Sequence, residues 1–397
     1  MLLFALIFCV VLFYLGYLSQ LNRPQKDIKN ASLDNLVKTK WASYSASNPS
    51  WEGDVAIYIM TPKGNCFSSS NPSYTSAYHF RGASTTKTFT AAAIMLLNQQ
   101  GKLNIDSKIT DLIPGSTETY VPATANYDIP FKNQITIRMV LMHRAGIWDV
   151  SNSDIPATSE ATYKGQSYLR YIEAKDPTHT FTFDELLGVV ASNHLSYFPP
   201  NTSYHYSDTG YSLLGKIIER ISGKSYRIFV EENLLKPNGL TDTSFPDLGK
   251  ENTLPSPFIP GYSYANSKMY YTTEDNMTPH VAEGNVISTL KDLGTWIREL
   301  MRGEAGVSSK SVEMMSRGTK SGAYGLGLSY VKGLGYGHDG GHAGYATVAK
   351  YDPKQDITVI ISAGAINFNN IVPYYEFLHD LGREAKNILG YSTAEAE

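Results

Sequence analysis

The segments that most constrain the fold are the strand-like runs, because they lie at the two ends of the chain. Residues 54–60 are predicted to form a strand followed by a Pro-containing turn, and residues 345–351 and 357–362 are rich in β-branched and aromatic side chains. Residues 116–280 are richer in helix-like and loop-like sequence. We therefore predict an α/β (α+β) fold with an antiparallel sheet built from N- and C-terminal segments, flanked by helices and carrying an inserted, mainly helical subdomain.

The chain is long enough to bury a large core, and we expect one principal domain at residues 22–397. Its α/β part is predicted at about 35–115 and 281–390, and its helical part lies between them at about 116–280. Residues 1–21 differ in composition from everything that follows. We predict that they are a separate N-terminal segment, either a membrane anchor or signal-like.

The N-terminal segment is defined by its apolar residues. Residues 2–18 are almost wholly apolar and have about the minimum length of a membrane span. They lack a basic start and an obvious small-x-small cleavage site, which favours an uncleaved anchor over a removed signal peptide. Arg23, Lys26 and Lys29 follow the span, and taken alone these charges favour a cytoplasmic body.

The composition excludes several classes of partner. The formal net charge is -3 and no basic stretch is concentrated enough to bind nucleic acid. Cys9 and Cys66 are the only cysteines, and the first lies in the apolar run, so we expect no internal disulfide. His338 and His342 are four residues apart, but the glycines between them argue against a helix that presents both to a metal. We predict no metal and no cofactor.

Ser84 and Lys87 form the first candidate active-site pair. They precede the apolar run 88–97, and two helical residues three positions apart share one face. An amine in that place can accept the proton of a hydroxyl, and the N–H groups at a helix N-terminus favour a developing oxyanion. The spacing alone leaves open that Ser84 is only the N-cap of the helix.

The same spacing occurs again at Ser288–Lys291 and at Ser329–Lys332. Ser288 precedes a helical run and is predicted to be an N-cap, whereas Ser329 lies in a Gly- and Tyr-rich stretch that is predicted to be a strand. Because three serines share the pattern, partner residues elsewhere in the chain must decide which of them reacts.

Tyr206 is the first such partner. It stands just before an amphipathic run that begins near Leu213, so its phenol can enter a cleft beside Lys87. A nearby cation is expected to lower the pKa of the phenol and allow it to relay protons. In the alternative, Tyr206 only packs and Asp208 caps the helix. A competing tyrosine, Tyr264, precedes no helix.

A glycine-rich stretch at residues 335–345 supplies the other partner. Glycines here let a substrate approach the backbone, and the N–H of a strand residue can complete an oxyanion hole. His338 lies inside this stretch and is predicted to contact the substrate or the Tyr206 phenol. The alternative is a glycine-marked turn with a structural histidine.

Taken together, these motifs resemble the serine β-lactamase-like and penicillin-binding family, in its class C β-lactamase and DD-peptidase branch. The family's Ser-x-x-Lys is matched by Ser84 and Lys87, and its Lys- or His-x-Gly by residues 338–340. Its Tyr-x-Asn is matched by residues 206–208, with Asp in place of Asn. The resemblance runs from roughly 35 to 385 and implies a β-lactamase/transpeptidase-like fold.

The resemblance implies acyl transfer through a covalent ester on Ser84. Lys87 and Tyr206 would share the roles of base and acid, and no cofactor would be needed. The oxyanion would be held by the N–H groups of Ser84 and Gly341. His338 would orient the substrate or tune the phenol. The implied partner is a small-molecule or peptide acyl substrate, namely a D-amino-acid peptide, an ester or a β-lactam.

Gly340 matches the glycine of the third motif, whereas Asp208 departs from the second. An ionised carboxylate only accepts hydrogen bonds, and next to Lys87 it raises the pKa of the amine and makes it a poorer base. We therefore favour a D-alanyl-D-alanine carboxypeptidase-like peptidase or esterase. A class C-like β-lactamase and a non-hydrolytic penicillin- or peptidoglycan-binding relative remain as alternatives. Such functions imply an anchored domain in the periplasm or outside the cytoplasm, against the charges that follow the anchor.

Overall fold

The structure, a computed structural model, describes residues 28–48 and 50–394. The predicted anchor at residues 2–18 lies outside the described residues, and so does Cys9. Within the part of the chain that is described, no helix combines the length and the apolar character needed to cross a membrane. Cys66 lies buried on a strand.

Strands from both ends of the chain form one central sheet. In chain order the strands are β1 (Val55–Thr61), β2 (Gly64–Ser69), β3 (His79–Ala83), β4 (Tyr262–Ala265), β5 (Lys268–Tyr271), β6 (Val286–Thr289), β7 (Ser329–Val331), β8 (Gly335–His342), β9 (Tyr345–Asp352), β10 (Ile357–Ala363) and β11 (Ala365–Ile366). Six of them make an antiparallel sheet in the order β2-β1-β10-β9-β8-β7. The predicted antiparallel sheet of N- and C-terminal strands is confirmed.

Helices cover both faces of this sheet. They are α1 (Ala31–Ala46), α2 (Thr86–Gln99), α3 (Ile137–Leu141), α4 (Tyr168–Glu173), α5 (Phe183–Ser192), α6 (Asp208–Ser222), α7 (Tyr226–Val230), α8 (Leu290–Arg302), α9 (Ser309–Ser316) and α10 (Ile371–Ile388). Alternate residues of β1 belong to separate apolar clusters on the two faces of the sheet. Ile57 and Ile59 pack with α1 and α10, whereas Tyr58 packs with α2 and α8. Burial on both faces explains why this strand has a continuous apolar sequence rather than an alternating one.

Helix α2 lies at the centre of the apolar cluster that contains Tyr58. Its residues are buried from Thr86 to Leu97. The Phe89 ring stacks on Trp296 of α8 with a centroid distance of 4.0 Å. Such dense packing on all sides permits little rearrangement of the helix.

Two local predictions are corrected. Ser288 is not the N-cap of α8, because it lies in β6 and the following residue, Thr289, caps the helix by accepting the N–H of Asp292 at 3.1 Å. The glycine-rich stretch is not a turn but β8 itself. A Cβ on Gly337 would lie 1.9 Å from the Ala349 carbonyl oxygen, so glycine is needed where β8 approaches its neighbour. The region 116–280 also carries the β4–β5 hairpin.

Candidate active site

Ser84 lies in the sharp turn between β3 and α2. The preceding residue, Ala83, has φ of 49°, a left-handed conformation that is strained for a residue with a side chain. Thr85 takes the N-cap position of α2, so the alternative that Ser84 caps the helix is wrong. The turn instead presents the Ser84 hydroxyl to the Lys87 side chain, with a distance of 3.2 Å from Oγ to Nζ.

Lys87 is completely buried and surrounded by oxygen atoms. Its Nζ lies 2.6 Å from Asp208 Oδ1 and donates to the Glu283 carbonyl oxygen at 2.8 Å. A second Glu283 atom, the carboxylate oxygen Oε2, lies 3.4 Å away. The hydrogen bonds of Nζ to Ser84 Oγ and to the two Glu283 oxygens use all three hydrogens of an ammonium group.

The charge of Lys87 follows from this surrounding. Burial alone would lower the pKa of the amine, but the negative charges of Asp208 and Glu283 more than offset burial and raise the pKa well above 10.5. Lys87 is therefore an ammonium ion at neutral pH and donates to Ser84 in the resting site. Asp208 acts on Lys87 in the direction that the sequence predicts.

Tyr206 lies against the same ammonium group, with its ring centroid 4.7 Å from Lys87 Nζ. The predicted fall in its pKa is wrong. Burial raises the pKa of the phenol far above 10, and the opposing effect of Lys87 is too small to reverse this. Tyr206 is thus a neutral phenol at the site, able to donate a proton and unable to act as a phenolate base in the resting state.

His143, a residue outside the predicted motifs, fixes the loop that carries Tyr206. Its Nδ1 accepts the Ser207 N–H at 3.1 Å, its carbonyl accepts the His205 N–H at 3.1 Å, and its ring lies 4.2 Å from that of Tyr206. Burial holds the pKa of His143 well below 6.5, so the imidazole is neutral and can accept this backbone hydrogen bond. Only the fold brings this residue next to Tyr206.

His338 faces the site but bonds to a residue that sequence reasoning missed. Its Nδ1 donates to the Asp339 carbonyl, which can only accept, so Nε2 carries no hydrogen and accepts from the Tyr324 hydroxyl at 2.7 Å. Burial, with the charges of Lys87 and Lys350, lowers the pKa of His338 to about 3. The imidazole is therefore neutral, and its ring centroid is 6.3 Å from that of Tyr206.

Gly340 and Gly341 follow on the same strand. A Cβ on Gly340 would lie 2.2 Å from the Gly82 carbonyl oxygen, so β8 meets the end of β3, just before Ser84, at backbone distance. Gly341 is exposed on β8 beside the Tyr375 hydroxyl. That the Gly341 N–H helps to hold the oxyanion stays a prediction.

Asp208 is held from its far side by an amide. Asn152 Nδ2 donates to Asp208 Oδ2 at 2.7 Å and to Asp149 Oδ2 at 2.9 Å. Burial and the charge of Asp208 raise the pKa of Asp149 to about 7, whereas the nearby Lys87 charge outweighs burial and lowers the pKa of Asp208. Of the two carboxylates that bind Asn152, Asp208 is the one that stays ionised.

The competing motifs lie apart from this group. The Ser288 hydroxyl contacts Thr243 at 2.9 Å, and the Ser329 hydroxyl accepts from Lys350 at 2.8 Å. The Tyr264 ring packs on Trp51. The structure thus brings Ser84, Lys87, Tyr206, Asp208 and His338 to one place, and leaves the look-alike residues in structural roles.

A family profile matches most of the chain. The profile of the Beta-lactamase family matches residues 64–365, which is well over half of the chain. The chain therefore belongs to the Beta-lactamase family, as the motifs predict.

Two curated relatives illustrate this membership. A penicillin-binding protein of Bacillus subtilis (strain 168) is 27% identical over 286 residues, covering 68% of this chain and 57% of that protein. A protein of Escherichia coli (strain K12) named putative D-alanyl-D-alanine carboxypeptidase is 32% identical over 169 residues, covering 42% of this chain and 34% of that protein. The matches thus span little more than half of these relatives, or less.

Solved structures share the fold. The D-amino acid amidase of Ochrobactrum anthropi SV3, determined with L-phenylalanine amide, matches with a TM-score of 0.70 at 22% identity and covers 90% of this chain and 99% of that one. A penicillin-binding protein of Bacillus halodurans matches with a TM-score of 0.64 at 19% identity, covering 89% of this chain and 99% of that one. The predicted β-lactamase/transpeptidase-like fold is confirmed.

Proposed function

We propose that this protein is a serine hydrolase that forms an acyl-enzyme on Ser84. The observation that carries the proposal is the contact of 3.2 Å between Ser84 Oγ and Lys87 Nζ, with the Tyr206 ring against the same ammonium. A buried phenol beside the nucleophile is a suitable acid for protonating a leaving group. Ser84 would attack the acyl carbon, Lys87 would take its proton once neutral, and Tyr206 would pass a proton to the leaving group.

The substrate that we favour is a D-amino-acid peptide, amide or ester. A cavity of about 450 Å³ is lined by Tyr324, which bonds to His338, and by Arg144, Tyr204 and Tyr330 among others, and among the described residues it adjoins the site only through Tyr324. This volume suits a small organic or peptide group. The names of the relatives, a putative D-alanyl-D-alanine carboxypeptidase and a D-amino acid amidase, support the same substrate class.

A second candidate is a relative that is acylated by penicillin or peptidoglycan without rapid turnover. The observation that favours it is the close pairing of Lys87 with Asp208 and Glu283, because a Lys87 that regains a proton after acylation cannot activate a hydrolytic water. Class C-like β-lactamase activity is the least favoured, since Asp208 stands where the family's amide would donate a hydrogen bond to the substrate.

Intact-protein mass spectrometry combined with hydrolysis assays separates these candidates. The purified chain is mixed with a chromogenic D-alanyl ester, a fluorescent penicillin and a cephalosporin. We expect ester turnover that Ser84→Ala abolishes and that Ser288→Ala, the matched change in the look-alike motif, does not. A stable penicillin adduct without ester turnover would favour the binding relative instead. Absence of both adduct and turnover in the natural protein would contradict the acyl-enzyme.

The location is part of the proposal. We infer that residues 2–18 anchor the protein and that its catalytic domain lies outside the cytoplasm, where acyl substrates derived from the cell wall are found. The apolar composition of those residues supports an anchor. Membrane fractionation followed by protease treatment of intact cells tests it, and a protected, membrane-bound domain would place the body in the cytoplasm.

A further inference from the structure

Lys87 poses a chemical problem, because the amine that must take the Ser84 proton is itself protonated. Its hydrogens face Ser84, the Glu283 carbonyl and the Glu283 carboxylate oxygen Oε2, with Asp208 as an ion-pair partner. An ammonium group only donates hydrogen bonds, so it cannot accept a proton from Ser84. A group in contact with Nζ must first remove one proton from Lys87.

Two carboxylates are close enough to do so. Asp208 Oδ1 lies 2.6 Å from Nζ, and Glu283 Oε2 lies 3.4 Å from it. Asp208 is already stabilised as an anion by Asn152 and Lys87, which makes it a weak acceptor. Burial and the charge of Asp208 raise the pKa of Glu283, so Glu283 is the stronger base of the two.

The backbone is shaped to hold Glu283 on Lys87. Ala282 has φ of 70°, a left-handed conformation that is strained for alanine, and its carbonyl accepts the Thr90 hydroxyl of α2 at 2.5 Å. This geometry directs the Glu283 carbonyl to Lys87, while the side chain reaches the same ammonium. One residue thus contacts Nζ through both its backbone and its side chain.

His280 holds the other carboxylate oxygen. Its Nδ1 lies 2.5 Å from Glu283 Oε1, and the side chain of Glu283 is only 2% exposed. Burial works against protonation of His280, but the charge of Glu283 outweighs burial and raises the pKa of the imidazole to about 9. His280 is therefore a cation at neutral pH and keeps Glu283 ionised, ready to accept a proton.

The charged groups around Glu283 come from several elements. Those that face it directly are Lys87 of α2, Asp208 of α6 and His280 of the preceding turn, and Asp149 acts from further away. Behind His280, the ring of His342 on β8 lies at 4.9 Å and bonds through Nε2 to Asp275 at 2.6 Å. Glu283 therefore lies between two cations, Lys87 and His280.

We propose that Glu283 accepts a proton from Lys87 and so supplies the neutral amine that Ser84 requires. The inference rests on the proposed function. Glu283 is a positioning residue, since it acts through Lys87. In the step, an N–H bond of Lys87 breaks with its electron pair left on Nζ, and an O–H bond forms on Glu283 Oε2. The total charge of the pair does not change.

The remaining proton movements balance. Neutral Lys87 takes the Ser84 proton as Oγ bonds to the acyl carbon, and this proton passes through Tyr206 to the departing group as its bond to the acyl carbon breaks. Lys87 is then neutral again and takes a proton from the water that attacks the ester. Lys87 gives this proton to Ser84 Oγ when the acid product leaves. Glu283 keeps its proton through the cycle and gives it back to Lys87 at the end.

The proposal predicts a distinctive pH dependence. The pair is active when Lys87 and Glu283 together hold one proton, so kcat/KM is constant from the pKa of Glu283 up to the pKa of Lys87. Without the transfer, Lys87 must lose its proton to solvent, and kcat/KM rises about tenfold per pH unit over the same range. The two cases differ in slope rather than in magnitude.

The experiment measures kcat/KM for the chromogenic ester from pH 5 to 10 with the full chain. We expect a plateau for the natural protein. Glu283→Gln lowers kcat/KM at pH 7 about 100-fold and replaces the plateau with a rise toward high pH, since Gln accepts no proton. Glu283→Asp restores the plateau. Glu313→Gln, a change at a side chain that is 76% exposed, serves as the matched control and leaves the profile unchanged.

Other outcomes overturn the inference. If Glu283→Gln is as active as the natural protein at pH 7, Glu283 only adds charge near Lys87. If Glu283→Gln unfolds, His280→Gln is the second test. Loss of the His280 cation raises the pKa of Glu283 and moves the acidic limb of the kcat/KM profile to higher pH. An unmoved acidic limb contradicts the proposal. Ester turnover that survives Ser84→Ala would instead sink the proposed function itself.

Discussion

Replacing Asp208 with Asn is the most informative single change in the site. It restores the residue type of the family motif and removes the carboxylate closest to Lys87, at 2.6 Å from Nζ. The Asn side chain is nearly the same size as Asp, but its single oxygen can face either Lys87 or Asn152, and with the oxygen toward the ammonium the Asn152 amide loses its bond. The perturbation is therefore the loss of one negative charge and one hydrogen bond, with packing almost unchanged.

The magnitude follows from Coulomb's law. Two unit charges 2.6 Å apart attract by about 6 kcal/mol at an effective dielectric constant of about 20. Glu283 remains, the amide dipole replaces part of the interaction, and Glu283 loses the Asp208 charge that raises its own pKa, so only a fraction of that energy acts on the transfer. If a quarter is lost, roughly 1.5 kcal/mol, the neutral form of Lys87 becomes about tenfold more populated. We expect kcat/KM for an ester at pH 7 to increase about tenfold.

Initial rates with the chromogenic ester at low substrate concentration give kcat/KM directly. The matched control is Asp149→Asn, because Asp149 binds the same Asn152 amide but does not contact Lys87. We expect a change of less than about threefold for this control. Thermal unfolding of both variants checks that neither change has disturbed the fold.

One result would refute the reasoning. If Asp208→Asn lowers kcat/KM more than about tenfold throughout pH 6 to 9 while the protein stays folded, the carboxylate is needed for the chemistry. Asp208, and not Glu283, would then be the group that takes the Lys87 proton. An unchanged rate would mean that the charge on Lys87 does not limit acylation.

Three further changes test other parts of the structure. Tyr206→Phe should lower kcat for the ester about 100-fold or more through loss of the acid, whereas Tyr264→Phe should leave it within about threefold, as measured by steady-state kinetics. Gly340→Ala adds a methyl group 2.2 Å from a backbone oxygen, so we expect loss of acylation, seen by mass spectrometry, in a protein that keeps its far-UV spectrum. Asp339→Asn leaves the buried ammonium of Lys350 without its ion pair, 3.2 Å long, and should cost about 3–5 kcal/mol of unfolding free energy at pH 7. Burial opposes ionisation of Asp339, but the nearby cations outweigh burial and lower the pKa of its carboxyl. The difference in unfolding free energy between the natural protein and Asp339→Asn, measured with urea, should therefore shrink as the pH falls below about 3.9, the ordinary pKa of aspartate.

The central sheet could be predicted because its signal is local. Strand-forming runs at 54–60, 345–351 and 357–362 need only side-chain shape and burial to be recognised, and the structure pairs 55–60 with 358–363. The contact between Ser84 and Lys87, the proposed nucleophile pair, could also be predicted, since their spacing on one turn is a property of the helix itself.

Electrostatics could not be predicted in the same way. Proximity of Lys87 predicts a lower pKa for Tyr206, yet burial outweighs the lysine charge and raises this pKa. The burial of Tyr206 depends on segments that are far apart in sequence. The bond from Tyr324 to His338 likewise has no motif, because it joins a loop to a neighbouring strand and sets which imidazole nitrogen carries the hydrogen.

The sequence by itself determined the family, the antiparallel sheet and the residues that we propose carry the chemistry, because motif spacing and side-chain type are properties of the chain. The tertiary structure alone decided the protonation of the site. Lys87 meets Glu283 only because Ala282 turns the backbone toward α2, nearly 200 residues from the lysine along the chain. Charge in a buried site depends on which oxygens surround it, and only the folded chain specifies those neighbours.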